Sequence, residues 1–191
     1  MLKDIMNIFK TNSQKPINHD VNIVDFYSGK ACDVYGRKIV DIWEYNDNQL
    51  EYIHNYIQWL FPLTEKSMHD RYAPILCDQD IEKIRKNEEI KKNMLYSLCI
   101  MMRFYKIELN AKDFKNDRIS REIKTHIDKN RKWLTPNNHN YLRMTRIIKS
   151  LKLFGMEEYA YMLYEALYDL AQESNAISDE NLNFWTQAIK D

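Results

Sequence analysis

Residues 138–155 read NHNYLRMTRIIKSLKLFG. At about 3.6 residues per turn, Tyr141, Met144, Ile148 and Leu151 share one face of a helix. Gly155 suits the left-handed position that closes such a helix. The pattern then resumes, with Met156, Tyr159, Ala160, Leu163, Leu167, Leu170 and Ala171 on one stripe. Two apolar stripes on either side of a glycine predict an αα-hairpin. Ser178 is placed to cap a last helix, and Leu182, Trp185 and Ile189 recur at the spacing that would dock it.

The same periodicity extends through most of the 191 residues. Residues 3–11 and 21–28 read as short helices, as does KIVDIW at 38–43. Asn46 or Asp47 can cap a helix over 47–61, which Pro62 ends because the residue before proline is driven out of helical geometry. Residues 62–77, with Pro62 and Pro74, read as loop, and Asp78 as the cap of a short helix. From Glu88 to Leu109, Leu95, Leu98, Met102 and Tyr105 form a stripe that Ile100, Met101 and Phe104 widen nearly to the full circumference, the pattern of a central helix. Residues 119–133 read as a more polar helix. With only three glycines and four prolines and no internal repeat, the chain is expected to be all-α. One multi-helix domain over 1–191 is predicted, with a central apolar helix and a C-terminal hairpin plus docked last helix.

The longest wholly apolar run is LCIMM at 98–102, so neither a secretory signal nor a membrane span is expected. Cys32, Cys77 and Cys99 are odd in number and outside any C-x-x-C pattern, which predicts a reduced, cytoplasmic setting. Net charge is zero but unevenly laid out: residues 111–153 hold 12 Lys/Arg against 4 Asp/Glu, and residues 154–191 hold 1 against 8. Side-by-side helices that compensate one another account for this better than a nucleic-acid patch does.

Three blocks carry a likeness to a known family: LEYIHNYIQWLFP at 50–62, NHNYLRMTRIIKSLKLFG at 138–155 and FW at 184–185. DFY at 25–27, Ser67, AP at 73–74 and MMRFY at 101–105 follow the same order. The chain resembles the N-terminal domain of the opioid growth factor receptor family from about residue 24 onward. That resemblance implies an all-helical domain, and the family name implies binding of an opioid growth peptide by its animal members. MMRFYK departs from the pattern, since relatives tend to carry an acidic residue and a glycine where this chain has Arg103 and Lys106.

On a helical wheel, Arg143, Arg146 and Ser150 all fall within about 40° of His139. Leu142 and Leu153 flank one edge and Ile147 and Phe154 the other, with Thr145, Lys149 and Lys152 as the expected wet face. A guanidinium between apolar borders requires a carboxylate, carbonyls or a bound anion. The helix predicted over 47–61 shows a polar sector of its own, with Glu51, His54, Asn55 and Gln58. If the two strips face each other across a cleft, Glu51 accepts from Arg143 or Arg146, and His54, Gln58, His139 and Asn140 add polar groups. One outcome is an internal ion-pair network that specifies packing. The other leaves spare donors that hold an anionic small molecule or peptide.

Three functions compete. The first is a binding module built on that cleft, with a second, protein-binding face at Tyr161, Tyr164 and Tyr168. The second is an enzyme acting on a phosphorylated or carboxylated small molecule, with His54 or His139 as acid-base. The third is nucleic-acid binding through 112–133 with Trp133 stacking, which the neutral overall charge argues against. Glu51 and His54 have the E-x-x-H spacing of di-iron bundles, but no second copy occurs, so neither metal nor cofactor is expected.

Overall fold

The computed structural model describes residues 15–17, 21–107 and 132–191. Among these the chain forms nine helices, and extended pairing is confined to one Leu63–Ile75 bridge, so the fold is all-α. The chain divides into two compact units, Met1–Ser97 and Leu98–Asp191. The helices predicted over 3–11 and 119–133 fall outside the described residues, apart from the last two positions of the second.

In the first unit, α1 (Ile23–Tyr27) is capped by Asn22, whose side chain accepts from the Val24 N–H at 2.8 Å. It buries Phe26 and Tyr27 completely. Phe26 meets Trp59 edge to face at 5.3 Å, and the Tyr27 hydroxyl donates to the Leu60 carbonyl. Next comes α2 (Ile39–Trp43), whose Trp43 indole donates to Ser97 Oγ at 2.9 Å. The helix expected over 47–61 is broken. It becomes α3 (Asp47–Tyr52), capped by Asn46, and a single turn α4 (Ile57–Leu60), with Ile53 extended at φ −85°, ψ 126°. The cause is a side chain: the buried Tyr56 hydroxyl donates to the Leu50 carbonyl at 2.8 Å, satisfying an orphan acceptor that a continuing helix would have used.

After the loop over 62–77 comes α5 (Asp78–Arg85), which packs on α1. Its cap is Cys77 rather than Asp78: Cys77 is extended, and Asp80 reaches back to accept its N–H at 3.1 Å. In α6 (Glu88–Tyr105), Leu98, Ile100, Met101, Met102, Phe104 and Tyr105 are all buried, as the nearly all-round apolar pattern predicts. It stops four residues before the expected end because Lys106 turns left-handed, at φ 56°.

The second unit holds the expected hairpin. Helix α7 (Asn140–Leu153) ends at Gly155, φ 72°, and α8 (Glu157–Glu173) returns against it. Ser178 caps α9 (Asp179–Lys190) by accepting the Asn181 N–H, and α9 packs on both. Four buried aromatics tie these parts together. Tyr105 meets Trp133 at 5.3 Å, Trp133 meets Tyr141 at 6.3 Å, and Tyr141 meets Trp185 at 5.9 Å. Both indoles are satisfied by backbone, Trp133 on the Tyr105 carbonyl at 3.0 Å and Trp185 on the Tyr141 carbonyl at 3.1 Å.

Two left-handed residues, one lysine and one glycine, make a matched test. A side chain in this region costs roughly 1–2 kcal/mol, offset in part by glycine's freedom in the unfolded chain. Lys106→Gly is expected to raise stability by roughly 0.5–1 kcal/mol and Gly155→Ala to lower it by about 1 kcal/mol. Urea unfolding with unchanged m values is the check.

Candidate functional site

The seven residues singled out from the sequence divide between the units. Glu51, His54 and Gln58 belong to the first and His139, Asn140, Arg143 and Arg146 to the second.

In the first unit the break at Ile53 removes the common wheel on which Glu51, His54 and Gln58 were aligned. His54 is exposed, Glu51 half-buried and Gln58 buried in α4. The Gln58 amide donates to Ser67 Oγ at 3.5 Å, and among the described residues its Oε1 has no donor. Ser67 Oγ also accepts the N–H groups of His69 and Asp70, so this serine organises part of the 62–77 loop.

The dominant polar feature of this unit escaped the sequence reading. Asp33 and Arg37 are buried and paired, with Arg37 Nε and Nη2 both 2.6 Å from Asp33 Oδ2. Arg37 further donates to Asn55 Oδ1 at 2.8 Å and to the Asn55 carbonyl at 3.1 Å. Asp33 Oδ1 accepts the N–H groups of Tyr35 and Arg37, which wraps the chain around Gly36 at φ 82°. The Tyr35 hydroxyl donates to Asp70 Oδ1 at 2.8 Å. Burial first, then this bond, hold the Tyr35 phenol well above its ordinary range, so it stays a donor at neutral pH. The available signal was DVYGR itself, an i,i+4 acid–base pair bent around a glycine. A groove of about 500 Å³ beside this turn is lined by Ile17, Val21, Asp25 and Cys32 among others, and none of the seven expected residues borders it.

In the second unit His139 is the exposed N-cap of α7, and Asn140 is fully buried one residue later. Asn138 fixes Asn140, its Oδ1 accepting both the Asn140 backbone N–H and Nδ2 at 2.9 Å. That orients Asn140 Oδ1 to accept Arg143 Nη1 at 3.0 Å, with the Tyr105 hydroxyl at 3.4 Å. Arg143 is 6% exposed and Arg146, nearly one turn on, half-buried. The strip therefore grades from solvent at His139 to the interior at Arg143. The expected wet face is corrected: Thr145, Lys149 and Lys152 are only half-buried, whereas Leu142 is 54% exposed. Lys152 uses its position to donate to the Ile189 carbonyl at 2.8 Å, fastening α9.

The other sequence-level candidates are less supported as chemical groups. Burial pushes the Cys99 thiol up to about 12, which keeps it protonated and a poor nucleophile. Trp133 is buried with its N–H engaged, so it does not serve as a stacking platform for nucleic acid; residues 112–131 of that basic segment lie outside the described residues. Among the described residues no three His, Cys, Asp or Glu side chains gather as metal ligands, and no helix is long and apolar enough to cross a membrane.

Comparison with known proteins returns a family match to the conserved region of the opioid growth factor receptor over residues 17–191. The chain is 33% identical over 199 residues to opioid growth factor receptor-like protein 1 of Xenopus tropicalis, covering 97% of this chain and 38% of that protein. The rat protein of the same name is 30% identical, with 91% of this chain and 37% of the relative covered. Human opioid growth factor receptor is 33% identical, with 93% and 26% covered. The chain thus spans well under half the length of these relatives, and no solved structure matches it.

Two outcomes follow from the geometry. Asp33→Asn keeps the shape and leaves Arg37 buried without its counter-charge, which should lower stability by about 3 kcal/mol in urea unfolding. Brief treatment with iodoacetamide at pH 8 should carbamidomethylate the exposed Cys77 and spare Cys99, read by peptide mass spectrometry.

Proposed function

We propose, from the premise that this chain belongs to the opioid growth factor receptor family, that it is a ligand-recognition domain whose α7 holds an anionic group, the carboxylate of a peptide. The observation that carries this is the graded strip His139, Asn140, Arg143 and Arg146, in which a nine-tenths buried guanidinium is oriented by a fully buried amide one turn below a solvent-exposed helix start. Such an arrangement matches what carboxylate or phosphate recognition requires. Arg143 supplies a fixed planar fork, Arg146 a second and more accessible one, and His139 a donor at the entrance. The N-terminal end of α7 adds the positive pole of a 14-residue helix. Relatives of the family bear the name receptor, which favours recognition over turnover.

A short peptide with a free C-terminal carboxylate, the same peptide amidated, and inorganic phosphate distinguish the possibilities in thermal-shift and calorimetric titrations. The free acid should bind and raise the melting temperature, and the amide should bind at least tenfold more weakly. Because a hydrogen bond to a charged group is worth about 1.5–3 kcal/mol, Arg146→Ala should weaken binding by about 10- to 100-fold. Equal affinities for acid and amide, or a response to Arg146→Ala no larger than twofold, would overturn the assignment. A response to phosphate alone would move the ligand from peptide to phosphorylated metabolite.

A further inference from the structure

The outward face of α8 carries carboxylates and phenol rings together. Glu158, Tyr161, Glu165, Tyr168 and Asp169 are all exposed, Tyr161 at 51% and Tyr168 at 43%. Glu158, Tyr161, Glu165 and Tyr168 recur at three and four residues, so carboxylates and phenol rings alternate along one line of the helix, with Asp169 flanking it. The sequence EEYAYMLYEALYDLAQE contains no lysine or arginine. Although α8 packs on the basic α7, the expected charge compensation does not reach this face: Glu158, Glu165 and Asp169 make no ion pair among the described residues.

One of the two docking rings, Tyr168, is also held. Tyr164 bonds Thr186 Oγ1 on α9 at 3.1 Å, and Tyr168 rests against Tyr164 with centroids 6.2 Å apart. An exposed tyrosine whose neighbour is anchored loses little freedom when a partner covers it. Each ring has a carboxylate one turn away: Tyr161 lies between Glu158 and Glu165, and Tyr168 lies one turn beyond Glu165 and beside Asp169.

We infer that this line is a docking surface for a basic polypeptide segment that presents two arginines about 10 Å apart, the distance between Tyr161 and Tyr168 along the helix. Each guanidinium lies flat on a phenol ring and donates edgewise to the adjacent carboxylate, a combination available to arginine and not to lysine. In a polyproline II segment that separation corresponds to R-x-x-R, since three residues make one turn of about 9.3 Å and bring both side chains to the same face. The surface is separate from the α7 strip and of opposite charge, so it stands or falls independently of the reading given for α7.

Fluorescence anisotropy with an unstructured R-x-x-R peptide, its K-x-x-K counterpart and a spacing-shifted R-x-R peptide tests this on the whole chain. The R-x-x-R peptide is expected to bind about tenfold more tightly than the lysine version. Tyr161→Ala with Tyr168→Ala should remove that preference, and Glu165→Gln should weaken binding and flatten its salt dependence. These positions are exposed, and unchanged urea unfolding confirms that the variants fold. Equal binding of all three peptides, or binding that is abolished by salt yet indifferent to the tyrosines, is diffuse attraction to an acidic helix and overturns the inference. Absence of binding by any peptide at low salt does so as well.

Discussion

The second unit depends on a hydrogen bond between an indole and a helix backbone. Trp185 is fully buried, and an indole N–H left unpaired in the interior would cost about 1–3 kcal/mol. It finds the Tyr141 carbonyl on α7, and that bond fixes both the approach and the register of α9. The Tyr141 hydroxyl in turn lies 2.9 Å from the Thr135 carbonyl and 3.2 Å from that of Ala176, so one residue anchors the loop before α7 and the turn before α9. Trp133 and Tyr105 continue the chain of edge-on rings. The hydrophobic stripes supply the driving force, and these polar tips select one arrangement among many that would bury similar area.

Both units place an arginine in the interior, and each does so by local means. Arg37 is matched within its own turn by Asp33 and then by Asn55, which turns a short loop into a rigid knot. Arg143 is oriented by Asn140, itself held by Asn138. The first guanidinium is held by a carboxylate and an amide of its own unit, and the second is oriented by an amide on its own helix. The second cluster adjoins the solvent-exposed start of α7, whereas the first is closed within its own turn.

Elements whose signals were local were legible in the sequence. The α7–Gly155–α8 hairpin, the Ser178 cap and the apolar core of α6 each follow from spacing plus one punctuating residue. The break at Ile53 was not legible, because it rests on a tyrosine six residues from the carbonyl it satisfies. The Asp33–Arg37 pair was hidden for a related reason: its weight comes from Asn55, eighteen residues away, and from burial that no short window reveals. The α7 strip was seen as a set, yet its grading was not. Leu142 faces solvent and Arg143 does not, an inversion of hydropathy that only packing on α8 and α9 explains.

The reach of the Trp185 bond has a further consequence, for synthesis. Its two partners are 44 residues apart, and α7 has no other indole donor on that carbonyl while the chain is being made. As the ribosome advances, α7 and α8 emerge with Tyr141 and its neighbours uncovered, and the unit closes only when α9 arrives. Nascent chains therefore pass through an interval in which the aromatic surface that α9 covers is exposed, the condition under which hydrophobic surface invites aggregation.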